Sequence, residues 1–167
     1  NTLPDGTMVT TLIKPDGTRT YNVPDGTLTS IVKGPDPRFF MQAPVTQRST
    51  VSTPGGKLLT AAMSRSVQLA DPNNALRITA LTDTYSINGR AATSVFNTAG
   101  RTYTETSPAG RQIVKTVDAM GRVTQSTVAG LAPVNYTYDA RGRLSGSSTG
   151  GRTTAFSYNS VSGYPET

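Results

Sequence analysis

The chain is predicted to be all-β, an antiparallel ribbon of β-hairpins, and three observations predict it. Turn signals recur every ten or eleven residues, the segments between them alternate apolar and polar side chains, and six of the twelve arginines directly follow a glycine at that same pace. Repeats are tested before single motifs because a period of this kind dictates the whole architecture.

The N-terminal region, residues 1–37, is punctuated by LPDGT from Leu3, KPDGT from Lys14 and VPDGT from Val23, with a degenerate GPDPR from Gly34. Proline presets φ near −65°, aspartate accepts hydrogen bonds from nearby amides, and glycine enters the left-handed region that other residues resist. Residues 38–90 alternate through Phe39, Met41, Ala43 and Val45, and again through Leu59, Ala61, Met63, Val67 and Leu69, between turn signals TPGGK and DPNN. These strands are expected to be longer, spaced nearer eighteen residues. Residues 57–70 also place Leu59, Met63 and Ser66 on one helical face, so helix stays open there beside the favoured strand.

In the last region, residues 91–167, the unit is about 21 residues long and holds two strands and two turns. It reads Phe96-Asn97-x-x-Gly100-Arg101, Val117-Asp118-x-x-Gly121-Arg122, Tyr138-Asp139-x-x-Gly142-Arg143, and finally Tyr158-Asn159 with its glycine delayed to Gly163. The Asx-x-x-Gly form suits a hairpin loop of three or four residues closed by a glycine bulge. The three regions are read as one continuous repeat region.

Composition narrows the chemistry. Without cysteine or histidine there is no disulfide framework, no thiolate nucleophile, no imidazole base and no ordinary zinc or haem ligation. Of eight aspartates, Asp5, Asp16, Asp25, Asp118 and Asp139 sit in turn contexts, and no pair of free acids suggests glycosidase or metal-hydrolase chemistry. No hydroxyl has a recognisable base, and no glycine-rich stretch has phosphate-loop spacing. No catalytic residue, metal or cofactor is therefore expected. The net charge of +6 invites nucleic acid, but the regular placement of arginine speaks for a repeat element rather than a basic patch.

The aromatics Phe96, Tyr136, Tyr138, Phe156 and Tyr158 suit cross-strand packing along one face, with a stacking platform for sugars or bases as the alternative. The arginines suit stacking on those rings, with phosphate binding as the alternative. Turn capping is the expected role of the Asx residues, since one acid per turn is too few for calcium. The chain opens on Asn1 and has no apolar run approaching ~18 residues, from which we expect an internal segment of a longer protein that does not insert in membranes.

YTYDARGRL, Tyr136 to Leu144, resembles the Tyr-x-Tyr-Asp-x-x-Gly-Arg-Leu signature of the YD repeats of rearrangement-hotspot (RHS) proteins, the B/C components of insecticidal toxin complexes, and teneurins. Tyr136, Tyr138, Asp139, Gly142, Arg143 and Leu144 match in full. Asp118, Gly121, Arg122 and Val123 match the turn half, with Lys115 and Val117 where tyrosines are expected. Asn97, Gly100 and Arg101 keep less of it, and the last copy keeps Phe156, Tyr158 and Asn159. The resemblance implies a spiralling hairpin ribbon that builds a hollow, non-enzymatic shell around a C-terminal toxin or effector, in a parent protein that is secreted or at the bacterial cell surface, the segment itself being soluble. Its partners would be the remaining repeats and the enclosed segment, with edge-strand self-association in isolation. A surface adhesion or carbohydrate-binding module, meeting a glycan or surface receptor, is the alternative. No autoproteolytic motif of the family is matched.

Overall fold

A computed structural model describes residues 1–166. It contains fifteen strands and, among the described residues, no helix: β1 (Thr10–Ile13), β2 (Arg19–Asn22), β3 (Leu28–Asp36), β4 (Phe40–Ser52), β5 (Leu58–Leu69), β6 (Ile78–Ile87), β7 (Arg90–Asn97), β8 (Thr102–Thr106), β9 (Gln112–Val117), β10 (Val123–Val128), β11 (Val134–Tyr138), β12 (Leu144–Thr149), β13 (Arg152–Ala155), β14 (Ser157–Tyr158) and β15 (Pro165–Glu166). Strands β1 to β13 pair in strict chain order in one sheet, and β14 pairs with β15. The chain divides into two compact units, Asn1–Ser94 and Val95–Thr167.

In the first unit the segment left between helix and strand is β5, whose first part, Leu58 to Ala62, pairs with β4 and whose remainder, Ala61 to Leu69, pairs with β6. Its alternation decides the outcome. Val51, Leu59, Met63, Tyr85, Val67 and Leu81 fall on one face, while Thr50, Thr60, Ser64, Thr84, Ser66 and Thr82 fall on the other. A helix would have mixed these two sets.

Hairpin connections explain the pace of the repeat. Seven turns, beginning at Leu3, Lys14, Val23, Thr53, Ser107, Asp118 and Asp139, share one backbone pattern. The amide of the first residue donates to the carbonyl of the fifth, and the amide of the fourth, always glycine, donates to the carbonyl of the first. Those glycines lie at φ between 75° and 83°, the bulge position that resists a side chain. The PDGT and Asp-x-x-Gly-Arg turns, distinct in sequence, are thus one backbone turn with its aspartate in two places. In PDGT the aspartate is third, and Oδ1 of Asp16 accepts the amide of Thr18 at 2.8 Å. In the second form it is first, where its other oxygen remains free to hold an arginine.

Enclosed apolar volume is small, as befits strands exposed on both faces. Among the described residues Val117, 8% exposed, is the one fully enclosed hydrophobic side chain. Stability therefore comes from ladder hydrogen bonds and cross-strand side-chain pairs, each worth about 0.2–1 kcal/mol, summed along neighbouring strands.

The most enclosed side chains of the first unit are charged. Asp36 and Asp83 are 2% and 7% exposed, on strands far apart in sequence. Arg65 joins them: Nε donates to Oδ1 of Asp83 at 2.6 Å, Nη2 to its Oδ2 at 2.8 Å, and Nη1 to Oδ2 of Asp36 at 3.2 Å. The Tyr85 hydroxyl donates to Asp83 at 3.2 Å, and Arg38 approaches Asp36 at 3.4 Å while covering the ring of Phe39. The hydrogen bond to Asp83 raises the Arg65 pKa above its ordinary value, against the cost of its own burial, and the bond to Asp36 raises it further.

Candidate functional site

The repeat residues singled out in the sequence meet in the second unit, around the turns at Asp118 and Asp139. Oδ1 of Asp139 accepts the amides of Arg141 and Arg143 at 2.9 and 2.8 Å, and Oδ2 accepts Nε of Arg143 at 2.7 Å. Asp118 does the same for the amides of Met120 and Arg122, and for Nε of Arg122, at 2.8, 3.0 and 2.7 Å. One carboxylate both closes the turn and fixes a guanidinium plane.

That plane lies over a tyrosine of the next copy. The Arg122 guanidinium is 4.6 Å from the Tyr138 ring centre, and that of Arg143 is 4.1 Å from Tyr158. Register explains the pairing. The β10–β11 ladder ends at Gln125 and Asn135, and extending it by three residues sets Arg122 opposite Tyr138. The β12–β13 register, extended equally from Gly146 and Ala155, sets Arg143 opposite Tyr158. Where the ladder stops, the Tyr138 hydroxyl donates to the carbonyl of Val123 at 2.7 Å, and that of Tyr158 to the carbonyl of Leu144 at 2.8 Å. Each clamp is therefore an aspartate, an arginine and the next copy's tyrosine, which caps a backbone acceptor that burial would otherwise leave costly.

The outer copies differ in instructive ways. Arg101 stands opposite Val117, where no ring is available, and there the backbone bond from the Val117 amide to the Arg101 carbonyl persists at 2.9 Å. In that turn the left-handed residue is Arg101 itself, at φ 48°, not Gly100. Asn97 accepts the amides of Ala99 and Gly100 but carries no charge to hold a guanidinium. Phe96 instead stacks on Tyr103, ring centres 4.5 Å apart. In the last copy Asn159 caps Val161 and Ser162, and Tyr164 follows Gly163 where an arginine would stand. Tyr158 was expected to share the sheet of Tyr138. It lies instead in the β14–β15 ladder, joined to β13 through Phe156, whose amide donates to Ser145 at 2.9 Å.

Three expectations change at this point. A direct tyrosine-to-tyrosine ladder is replaced by alternation of tyrosine with arginine. The expected arginine stacking on rings occurs on a guanidinium that is at the same time paired with an aspartate. Of the glycine-preceded arginines in this unit, Arg122 and Arg143 have the aspartate four residues earlier, whereas Arg101, Arg111 and Arg152 lack it and are exposed. Sequence reasoning missed the register link, although the spacing from each arginine to the next copy's strand end carried it. It also missed Lys115, whose ammonium donates to Glu105 at 2.8 Å.

The profile of the Teneurin YD-shell family matches residues 4–162. The chain belongs to the YD-shell family. Membership reaches well beyond Phe96–Gly163, where the signature is legible, into the PDGT turns and the long strands of this YD-shell chain. No individually curated protein matches the YD-shell chain in sequence. Among the described residues there is no helix long and apolar enough to cross a membrane.

Glycine at the fourth turn position has two separable reasons in this YD-shell chain, and substitution tells them apart. A Cβ at Gly121 meets nothing within 4 Å, whereas one at Gly142 comes within 3.2 Å of Nη1 of Arg122. Both lie near φ +80°. Gly121→Ala should lose about 1–2 kcal/mol from backbone strain alone. Gly142→Ala should lose measurably more, because the clamp arginine must move, and urea midpoints of the two variants check the order.

The acids of the clamps set the acid limit. The Arg122 amide and then its side chain hold Asp118 below its ordinary 3.8, and the Arg143 amide leads in lowering Asp139. Burial alone would raise Asp36, but bonds from the Arg38 amide and from Arg65 outweigh it and the pKa falls. A depressed carboxyl stabilises the fold above its unfolded pKa and loses that contribution as pH falls through its folded value. The thermal midpoint should thus stay level from about pH 8 to 5 and drop only below about pH 4.

Proposed function

We propose that this segment is non-catalytic wall: repeats of a shell whose parent chain encloses a C-terminal toxin or effector segment and keeps it apart until delivery. The observation that carries this is the clamp, which in two successive copies sets the arginine of one on the tyrosine of the next and so makes those repeats mutually dependent. A wall of this kind needs continuity rather than a reactive group, and its strength grows with the number of neighbouring interfaces. The partners on this reading are the flanking repeats at the two sheet edges and the enclosed segment, in a parent protein that is secreted or held at the cell surface.

Limited proteolysis of the parent chain tests it. The region following the repeats should resist protease in the intact protein and be cut in a Tyr138→Ala, Tyr158→Ala variant. Equal susceptibility in both would remove the container reading.

A surface adhesion or carbohydrate-binding module is the second reading. It is favoured by Tyr136, whose ring, unlike that of Tyr138, carries no guanidinium, and whose hydroxyl has no protein partner among the described residues. A glycan array tests it.

A further inference from the structure

The copy before the full signature breaks the pattern at one position. Where Tyr136 opens the Tyr-x-Tyr-Asp motif, the preceding copy has Lys115. Lys115 pairs across the ladder with Ser126, and Ser126 with Val134 next to the Tyr136 strand position, so both copies' first residues look onto the same face. Glu105 holds the Lys115 ammonium at 2.8 Å. Beside it lies an open pocket of about 330 Å3 lined by Lys115, Val123, Ser126, Tyr136, Tyr138 and Leu144.

We propose that this cavity is a binding subsite for one neutral sugar residue. The assignment rests on the carbohydrate-binding reading and not on the container reading. A sugar ring has an apolar C–H face and a periphery of hydroxyls, so it needs an aromatic wall beside spare donors and acceptors. Among the lining residues Tyr136 brings the aromatic ring, and its unengaged hydroxyl, the Ser126 hydroxyl and the remaining Lys115 N–H donors bring the polar partners. Tyr138 offers no donor, because its hydroxyl already donates to the Val123 carbonyl. Charge selects the ligand further: the Glu105 carboxylate sits 2.8 Å from the Lys115 ammonium, so a carboxylated or sulfated sugar must compete with that carboxylate for the cation, whereas a neutral one does not. The volume falls at the lower end of small-ligand pockets, roughly 300–1,000 Å3, which fits a single residue of a chain.

The decisive variant is Lys115→Tyr, which restores the repeat pattern and fills the notch while keeping the strand. Saturation-transfer NMR with galactose, glucose and N-acetylglucosamine, and glucuronate as the charged control, should show binding to the wild type at ~1–10 mM for a neutral sugar and weaker or no transfer for glucuronate. Lys115→Tyr should weaken it at least ~tenfold with an unchanged or higher melting temperature, and Tyr136→Phe, which keeps the ring, about fivefold. Sugar binding that survives Lys115→Tyr unchanged overturns this site while leaving the carbohydrate reading intact. Silence of the wild type in both NMR and glycan array overturns the two together.

Discussion

An Arg65→Met variant is expected to lose about 3 kcal/mol, the lower end of the cost of leaving buried charge unpaired, because Arg65 itself keeps some contact with water. The loss does not come from the arginine. Asp36 and Asp83 remain in place, 2% and 7% exposed, with their principal cation gone. Asp36 retains the amides of Arg38 and Phe39, whereas Asp83 is left with the Tyr85 hydroxyl. Removing the second charge as well should restore stability, so Arg65→Met, Asp83→Leu is expected to recover more than half of the loss. Hydrogen exchange of the β5 and β6 amides, followed with urea titration, reads both variants. If the double variant is no better than the single one, the cost lies in packing and the ionic account is wrong. Tyr85 adds an alkaline signature. Burial, then the charge of Asp83, raises its pKa above 10.0, so the fold favours the neutral phenol, and that contribution is lost as pH rises through the folded value.

The second large effect belongs to the clamp. Tyr138→Ala removes a half-buried ring, the face under Arg122 and the bond to the Val123 carbonyl, and should lower stability by about 2–3 kcal/mol. Tyr138→Phe removes the hydroxyl alone and should account for about 1 kcal/mol of that. A double-mutant cycle of Tyr138→Leu with Arg122→Gln isolates the ring–guanidinium pair, for which a coupling of about 1 kcal/mol is expected. Zero coupling would mean that the two residues merely sit near one another. Because Arg143 and Tyr158 repeat the geometry, the same cycle there is an internal control.

The architecture was legible because its signals are local. Proline-aspartate-glycine and Asx-x-x-Gly each determine a turn within five residues, and alternation follows from the two-residue period of a strand. For the same reason β5 resolves as strand once its neighbours are known, since its alternation matches β4 and β6 residue by residue. The clamp was half legible. Its members all stand in the signature, but which tyrosine each arginine covers depends on ladder register, set by turn length and bulges and not by any one motif. The triad of Asp36, Arg65 and Asp83 left almost no trace. Its partners lie 29 and 18 residues from the arginine, and the one hint is a charged side chain at an inward position of an otherwise apolar strand face.

The clamps also have a direction. Each tyrosine closes onto a carbonyl laid down earlier, 15 residues back for Tyr138 and 14 for Tyr158. As the polypeptide leaves the ribosome, the guanidinium that a ring needs has always been made already, and the loop to be closed is short. Such a chain can lock behind itself in the order of synthesis, so that the longest unfinished stretch at any moment is about one copy of the repeat.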